Sequence, residues 1–142
     1  MKKHISFIAV LLLLTLTACG TYSVSKLDFS FKTSVPTDSY DENFIFLNED
    51  IDRLKLDVEL RIDSGNAVIS IINVQDEEII WSDSYTENSK FQIALENLRA
   101  EESYLITVQT VKTKDFKVLI TSDTKLVLDE DMPDKPNRQE KN

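Results

Sequence analysis

The feature that most constrains this chain is a strict alternation of apolar and charged residues over positions 54–63, which read "LKLDVELRID". Five apolar residues occupy every second position: Leu54, Leu56, Val58, Leu60 and Ile62. Because successive side chains of a strand point to opposite faces of its sheet, this spacing predicts a β-strand with one buried face and one wet face. Such a strand is typical of an antiparallel sheet that meets water on one side.

The same alternation recurs at 27–31, 91–95, 104–108 and 116–120. Residues 67–74 are apolar on both faces, which predicts a central strand. Seven or eight short strands of this kind predict an all-β fold, a single antiparallel β-sandwich, and no long helix accompanies them.

Short polar segments separate the predicted strands. "DSGN" at 63–66 suits a tight hairpin, because glycine and asparagine tolerate positive φ. Residues 48–53 are predicted to form a helical turn capped by Asn48. Further turns of hairpin length are predicted at three places: "QDEE" at 75–78, "ENS" at 87–89 and "TKD" at 113–115.

The segment 91–111, "FQIALENLRAEESYLITVQTV", resembles the strand-loop-strand passage of fibronectin type III and related immunoglobulin-like domains. In that family a leucine closes one strand and a tyrosine opens the next six residues later, as Leu98 and Tyr104 do here. Ala100-Glu101 replaces the family's usual Pro-Gly. The resemblance implies an immunoglobulin-like sandwich in which the Tyr104 hydroxyl bonds back to the loop backbone.

The first eighteen residues have the three parts of an export signal. Lys2 and Lys3 form a positive end, and residues 5–16 are uncharged and apolar. A helix of that length rises only about 18 Å, short of the roughly 30 Å hydrocarbon core of a bilayer. We therefore expect a cleaved signal and not a membrane span.

"LTAC" at 16–19 resembles the lipobox of bacterial lipoproteins. The resemblance implies that the Cys19 thiol carries a diacylglyceryl group, and that the mature chain is held on the extracytoplasmic face of the cell membrane, or of an outer membrane in a Gram-negative host. The expected organisation is a signal peptide at 1–18, a lipidated cysteine and tether at 19–25, the β-sandwich at 26–129 and a disordered polar tail at 130–142.

Composition excludes several functions. The only histidine, His4, lies in the signal, so the mature chain has no imidazole base for Ser-His-Asp or Cys-His catalysis. Cys19 is the only cysteine, which excludes a disulfide and zinc sites of Cys and His. Removing Lys2 and Lys3 from the 16 basic residues leaves 14 against 25 acidic, a net charge of −11. We expect no nucleic-acid partner, no metal and no cofactor.

Two acidic clusters remain as candidate sites. They comprise Asp41, Glu42, Glu49, Asp50 and Asp52, and then Asp129, Glu130, Asp131 and Asp134. Paired carboxylates can hydrolyse glycosidic bonds or hold calcium, although neither cluster has the glycine-containing calcium-loop pattern. The simpler interpretation is a solvated acidic surface.

Aromatic residues supply the candidate binding positions. Trp81 and Tyr85 share one predicted strand face with Ile79 and could stack on a sugar or hold a cation. Alternatively, Trp81 packs between the sheets. Tyr40 is predicted to be exposed, whereas Phe44 and Phe46 are predicted to lie on a core face.

These observations predict a lipid-anchored, non-enzymatic binding or accessory module at the bacterial cell surface, with an unidentified protein, peptide or glycan partner. The first alternative is an immunity or resistance lipoprotein that sequesters a cationic antimicrobial peptide, which a net charge of −11 would attract. The second alternative is a carboxylate-dependent hydrolase.

Overall fold

A computed structural model describes residues 25–128, and within this range every regular element is a β-strand. All strand pairs are antiparallel. The all-β class and the number of strands are therefore confirmed. The strands are β1 (Ser25–Phe46), β2 (Ile51–Ile62), β3 (Asn66–Asn73), β4 (Glu78–Tyr85), β5 (Ser89–Leu98), β6 (Ser103–Ser122) and β7 (Val127–Leu128).

Two long strands, β1 and β6, run side by side and contribute to both layers of the sandwich. Sheet I contains β4, β3, the first half of β6, the second half of β1, and β7. Sheet II contains β5, β2, the second half of β6 and the first half of β1. In sheet II β2 pairs with β5, and in sheet I β3 pairs with β6.

The inner faces of the two sheets form one hydrophobic core. The alternating apolar positions of β2 all lie in it, with Leu54, Leu56 and Val58 each 1% exposed. From sheet I, Ile69, Ile71 and Ile106 are fully buried. The alternation of apolar and polar residues therefore predicted correctly which face of these strands is buried.

The segment 63–66 is not a hairpin, because β2 and β3 do not pair with each other. Instead both pair with β6, one after the other: Ile62 lies opposite Phe116 and Asn66 lies opposite Val111. The chain thus crosses from sheet II to sheet I along a single neighbour. Strands that pass between the layers of a sandwich do so through bends and bulges of this kind.

A residue with positive φ was expected here for a hairpin turn, and it occurs in this bend instead. Gly65 has φ +75°, and a Cβ placed there would lie 2.0 Å from the main-chain oxygen of Val111. Only glycine allows the two backbones to approach this closely. Lys112, opposite the bend on β6, also has positive φ, at 55°.

Side chains bind the main-chain groups that the bend exposes. The Asp63 carboxylate accepts the N–H groups of Lys114 and Asp115 at 3.2 and 3.1 Å. The buried Thr113 hydroxyl donates to the Ser64 carbonyl at 2.9 Å. The N–H of Asp115, more than any other partner, lowers the pKa of Asp63. These bonds satisfy backbone groups that would otherwise lose their ladder partners.

Two further sequence predictions are wrong. "TKD" at 113–115 does not separate two strands, because β6 continues through it as part of the corner. Residues 48–53 form no helical turn: β2 begins at Ile51, after a short bend. In both places a polar segment bends the chain between sheets, which local sequence does not distinguish from a turn.

Tyr104 locks the loop between β5 and β6. Its hydroxyl accepts the backbone N–H of Arg99 at 2.8 Å and donates to the Glu102 carboxylate at 2.7 Å. The tyrosine is 3% exposed. Asp50 holds the same loop from the other side, since its carboxylate accepts the N–H of Ala100 at 2.9 Å.

We predict that Gly65→Ala destabilises the protein by more than about 3 kcal/mol, because left-handed strain of about 1–3 kcal/mol adds to a clash with main-chain atoms. Chemical denaturation measures the loss. Ser30→Ala, on an exposed strand position, is the control and should change stability by less than about 0.5 kcal/mol. Equal stability of the two variants would contradict this account of the corner.

We predict that Tyr104→Phe costs about 1–2 kcal/mol at neutral pH, since it leaves the Arg99 N–H unpaired. Burial raises the pKa of Tyr104 to about 12, and the Glu102 carboxylate adds to this effect while the Arg99 N–H opposes it. The stabilisation is therefore complete below pH 10 and is lost between pH 10 and 12. Denaturation at several pH values should show the difference between the proteins shrinking in that window, and a constant difference would contradict it.

Candidate functional site

The outer face of sheet I is almost free of charge. Glu42 is the only ionisable carboxylate or base among the side chains that project from it. The other members include apolar, aromatic, hydroxyl and amide side chains: Tyr40, Phe44 and Phe46 from β1, Val68, Ser70 and Ile72 from β3, Ile79, Ser82 and Ser84 from β4, Leu105, Thr107 and Gln109 from β6, and Val127 from β7.

An apolar band crosses this face from β4 to β1. Ile79 lies opposite Ile72, which lies opposite Leu105. Phe44 lies on the other side of Leu105. Neighbouring strands lie about 4.8 Å apart, so the band spans about 14 Å from the backbone of Ile79 to that of Phe44. Ile79 is 61% exposed, and Val74 beside the band is 38% exposed.

Phe44 and Phe46 belong to this outer face, so their predicted place in the core is wrong. Ile45, between them, is the buried residue at 2% exposure, and Leu47 is buried as well. The two phenylalanine rings stack on each other with centroids 6.0 Å apart. Their aromatic area remains partly accessible beside the apolar band.

A hydroxyl-rich row lies next to the band. Ser82, Ser70, Thr107 and Glu42 follow one another across the four strands. The hydroxyl oxygens of Ser70 and Ser82 are 2.8 Å apart and share a hydrogen bond. Ser70 and Thr107 are buried, whereas Ser82 is exposed beside the band.

Tyr40 stands at the margin of the face, beyond this row, and is 61% exposed as predicted. Its hydroxyl donates to the Glu42 carboxylate at 2.9 Å. Partial burial, together with this carboxylate, raises the pKa of Tyr40. The phenol therefore stays neutral over the physiological range and does not add charge to the face.

Trp81 and Tyr85 lie on the opposite side of β4, facing inward. A bulge at Ile80 reverses the alternation, so Ile79 does not share their face, contrary to the prediction. Both rings stack on Phe91 of β5, with centroid distances of 6.1 Å for Trp81 and 4.6 Å for Tyr85. The three rings close the seam between the edge strands β4 and β5, which have no hydrogen-bonded ladder between them.

Tyr85 is held in this seam by Asp83. Its hydroxyl donates to the Asp83 carboxylate at 3.1 Å, and the same carboxylate accepts the Ser84 N–H at 2.8 Å. Burial, followed by the neighbouring carboxylate, raises the pKa of Tyr85. Trp81 is half-buried and packs against the core, as in the alternative interpretation of that residue. The pair therefore seals the seam.

Further along, the seam opens into a polar cleft of about 500 Å³. Its wall carries the carboxylates of Glu78, Glu96 and Glu102. Glu96 pairs with Arg53 at 2.6 Å, and Glu102 accepts the Tyr104 hydroxyl. Two of the three carboxylates in the cleft are therefore engaged in contacts within the domain.

Two members of the first acidic cluster, Asp50 and Glu42, lie in different parts of the domain. Asp50 is structural, since its bonds to Ala100 and Arg99 fix the loop before β6, and these bonds lower its pKa. Glu42 lies on the outer face of sheet I, with Tyr40. The second acidic cluster and Cys19 lie outside the described residues.

Within residues 25–128, no three His, Cys, Asp or Glu side chains are arranged to hold a metal ion. Over the same range there is no helix long and apolar enough to cross a bilayer.

The structure thus separates the sequence-predicted residues into two places. Trp81 and Tyr85 meet on Phe91 in the seam, while Tyr40 lies across the sheet on the outer face. Sequence reasoning missed the apolar band. Its signal was the absence of any charged residue from 66–74 and 103–111, in a chain that is 29% charged.

These features define an antiparallel β-sandwich with one charged and one nearly uncharged outer face. A family model described as a domain of unknown function, DUF4624, matches residues 17–134, which include all seven strands. The chain belongs to this family. No curated protein shows significant similarity to it.

Proposed function

We propose that this chain is a lipid-anchored, extracytoplasmic lipoprotein that acts as a non-enzymatic binding module at the bacterial cell surface. The observation that carries the proposal is the apolar band of Ile79, Ile72, Leu105 and Phe44 on the outer face of sheet I. Contiguous apolar surface on a soluble domain marks a place where another molecule is bound.

The contrast with sheet II strengthens this argument. An antiparallel sheet that meets water normally carries polar side chains on its outer face. The outer face of sheet II does so, with twelve charged side chains. The outer face of sheet I carries one, in a protein whose net charge is −9. Water alone does not account for both faces, whereas a bound partner does.

The chemistry of the face favours a protein partner. The band is apolar, and the exposed Ser82 hydroxyl lies beside it, where it can pair with a polar group at the rim. Protein interfaces combine an apolar centre with a polar rim in this way. A glycan would favour an open aromatic platform, whereas Phe44 and Phe46 stack on each other.

The anchoring part of the proposal rests on the lipobox-like segment ending at Cys19. Two acyl chains hold a protein stably on a bilayer, because each buried methylene contributes about 0.8 kcal/mol. The Cys19 thioether with its diacylglyceryl group supplies two chains.

We predict that Cys19→Ser abolishes incorporation of labelled fatty acid and leaves an uncleaved or shed precursor. Metabolic labelling and fractionation of cells that express the full chain measure both effects. A substituted protein that stays lipid-labelled at the membrane would overturn the anchor.

We predict that Ile79→Glu abolishes partner capture without unfolding the domain, because it places a charge in the apolar band at an exposed position. The full chain is crosslinked in its own envelope, and captured proteins are quantified by mass spectrometry. Val35→Glu is the matched control: it adds the same charge at another exposed apolar residue, 62% accessible, in the part of β1 that is not paired with β6. Equal capture by the two variants would refute a binding role for the band.

A second candidate function is sequestration of a cationic antimicrobial peptide. It is favoured by the net negative charge that the domain carries outside the outer face of sheet II. Outside the outer face of that sheet, residues 25–128 carry fifteen acidic and four basic side chains. Raising the ionic strength in the capture experiment separates the two functions. Exposed charges are screened beyond about 8 Å at physiological salt, so binding of a basic peptide falls steeply with salt. Capture through the apolar band does not.

A further inference from the structure

The basic residues of the domain are concentrated on one surface. The outer face of sheet II holds seven of the eleven lysines and arginines of residues 25–128: Lys26, Lys32, Arg53, Lys55, Arg61, Lys90 and Lys117. Five acidic side chains share this face, so its net charge is positive. The remainder of residues 25–128 carries fifteen acids against four bases. The domain is therefore strongly dipolar across the sandwich.

Some of these bases are satisfied within the face and others are not. Lys117 pairs with Asp28 at 3.2 Å, and Lys90 pairs with Glu59 at 2.6 Å. In contrast, Lys26, Lys55 and Arg61 have no acidic group within 4 Å among residues 25–128. Those three side chains are free to contact an anion outside the protein.

Arg61 and Lys117 lie directly opposite each other on β2 and β6. Like charges in this arrangement destabilise a sheet. Together with Glu59 and Leu119 they line a shallow hollow of about 220 Å³. Asp28 beside Lys117 and Glu59 beside Arg61 offset part of this repulsion. A phosphate placed in the hollow would accept hydrogen bonds from both bases.

The course of the chain brings this face close to a bilayer. β1 begins at Ser25 in sheet II, and five residues separate it from Cys19. A fully extended segment of that length spans at most about 20 Å. This step rests on the proposed lipid anchor at Cys19, which fixes the start of the tether at the membrane.

We propose that the outer face of sheet II is the membrane-facing surface of the protein, with its bases on anionic lipid headgroups and a headgroup phosphate between Arg61 and Lys117. Anionic headgroups attract basic side chains held near the surface and repel the acidic remainder of the domain. The outer face of sheet I then points away from the bilayer, toward its partner.

Lysine footprinting tests this orientation. The mature chain, residues 19–142, is coupled through its single thiol to a maleimide lipid, so failure of natural lipidation does not affect the result. It is then acetylated on vesicles of phosphatidylcholine with or without phosphatidylglycerol. On anionic vesicles the reactivity of Lys26, Lys32, Lys55, Lys90 and Lys117 should fall about fivefold, while Lys112, Lys114 and Lys125 stay unchanged. Equal labelling on both vesicles, or protection of the second group instead, would overturn the proposal.

A matched pair of variants tests the role of the face. Lys55→Gln with Arg61→Gln should remove the protection of Lys90 and Lys117, whereas Lys112→Gln with Lys114→Gln, an equal loss of charge at the corner, should leave it intact. Loss of protection in both pairs would mean that only net charge matters and would refute a specific face. Inorganic phosphate without vesicles should not protect these lysines; protection by phosphate alone would assign the hollow to a soluble anion.

Discussion

Gly65 lies so close to the backbone of β6 that no side chain fits between them, and both layers of the sandwich meet at this contact. At this point β1, β6 and the path from β2 to β3 all turn from one sheet into the other, so a single corner positions both layers. A side chain at Gly65 would meet the Val111 oxygen at 2.0 Å. Asp63 and Thr113 then satisfy the main-chain groups that the corner exposes. Because no disulfide can staple the fold, this corner and the core must hold it.

The corner also lets one strand present two different surfaces. β6 is central in both sheets, and its outward side chains change character along its length. Before the bend they are uncharged, as in Leu105 and Thr107; after it they include Asp115 and Lys117. A flat sheet would have mixed these side chains on one face. The bend separates them onto opposite sides of the sandwich, where each can meet a different environment.

Sequence periodicity predicted the strands and the buried face of β2, because a strand with one wet side must alternate. It could not predict the corner, since 63–66 and 113–115 have the composition of hairpin turns while their role depends on a distant partner. Phe44 and Phe46 were misplaced because hydrophobicity alone does not say which side of a strand is dry. The bulge at Ile80 likewise places Ile79 and Trp81 on opposite faces of β4. This change of face is visible only in the register of β4 with β3.

Stability does not explain the chemistry of either outer face. Exposed ion pairs such as Lys90–Glu59 contribute little to folding, so a face with seven bases is not needed to hold the domain together. The apolar band lies outside the core, and its exposed Ile79 is better satisfied by a partner than by water. Both faces therefore depart from what folding requires, and in opposite ways. The proposed lipid anchor and binding role assign one of these faces to the bilayer and the other to the partner.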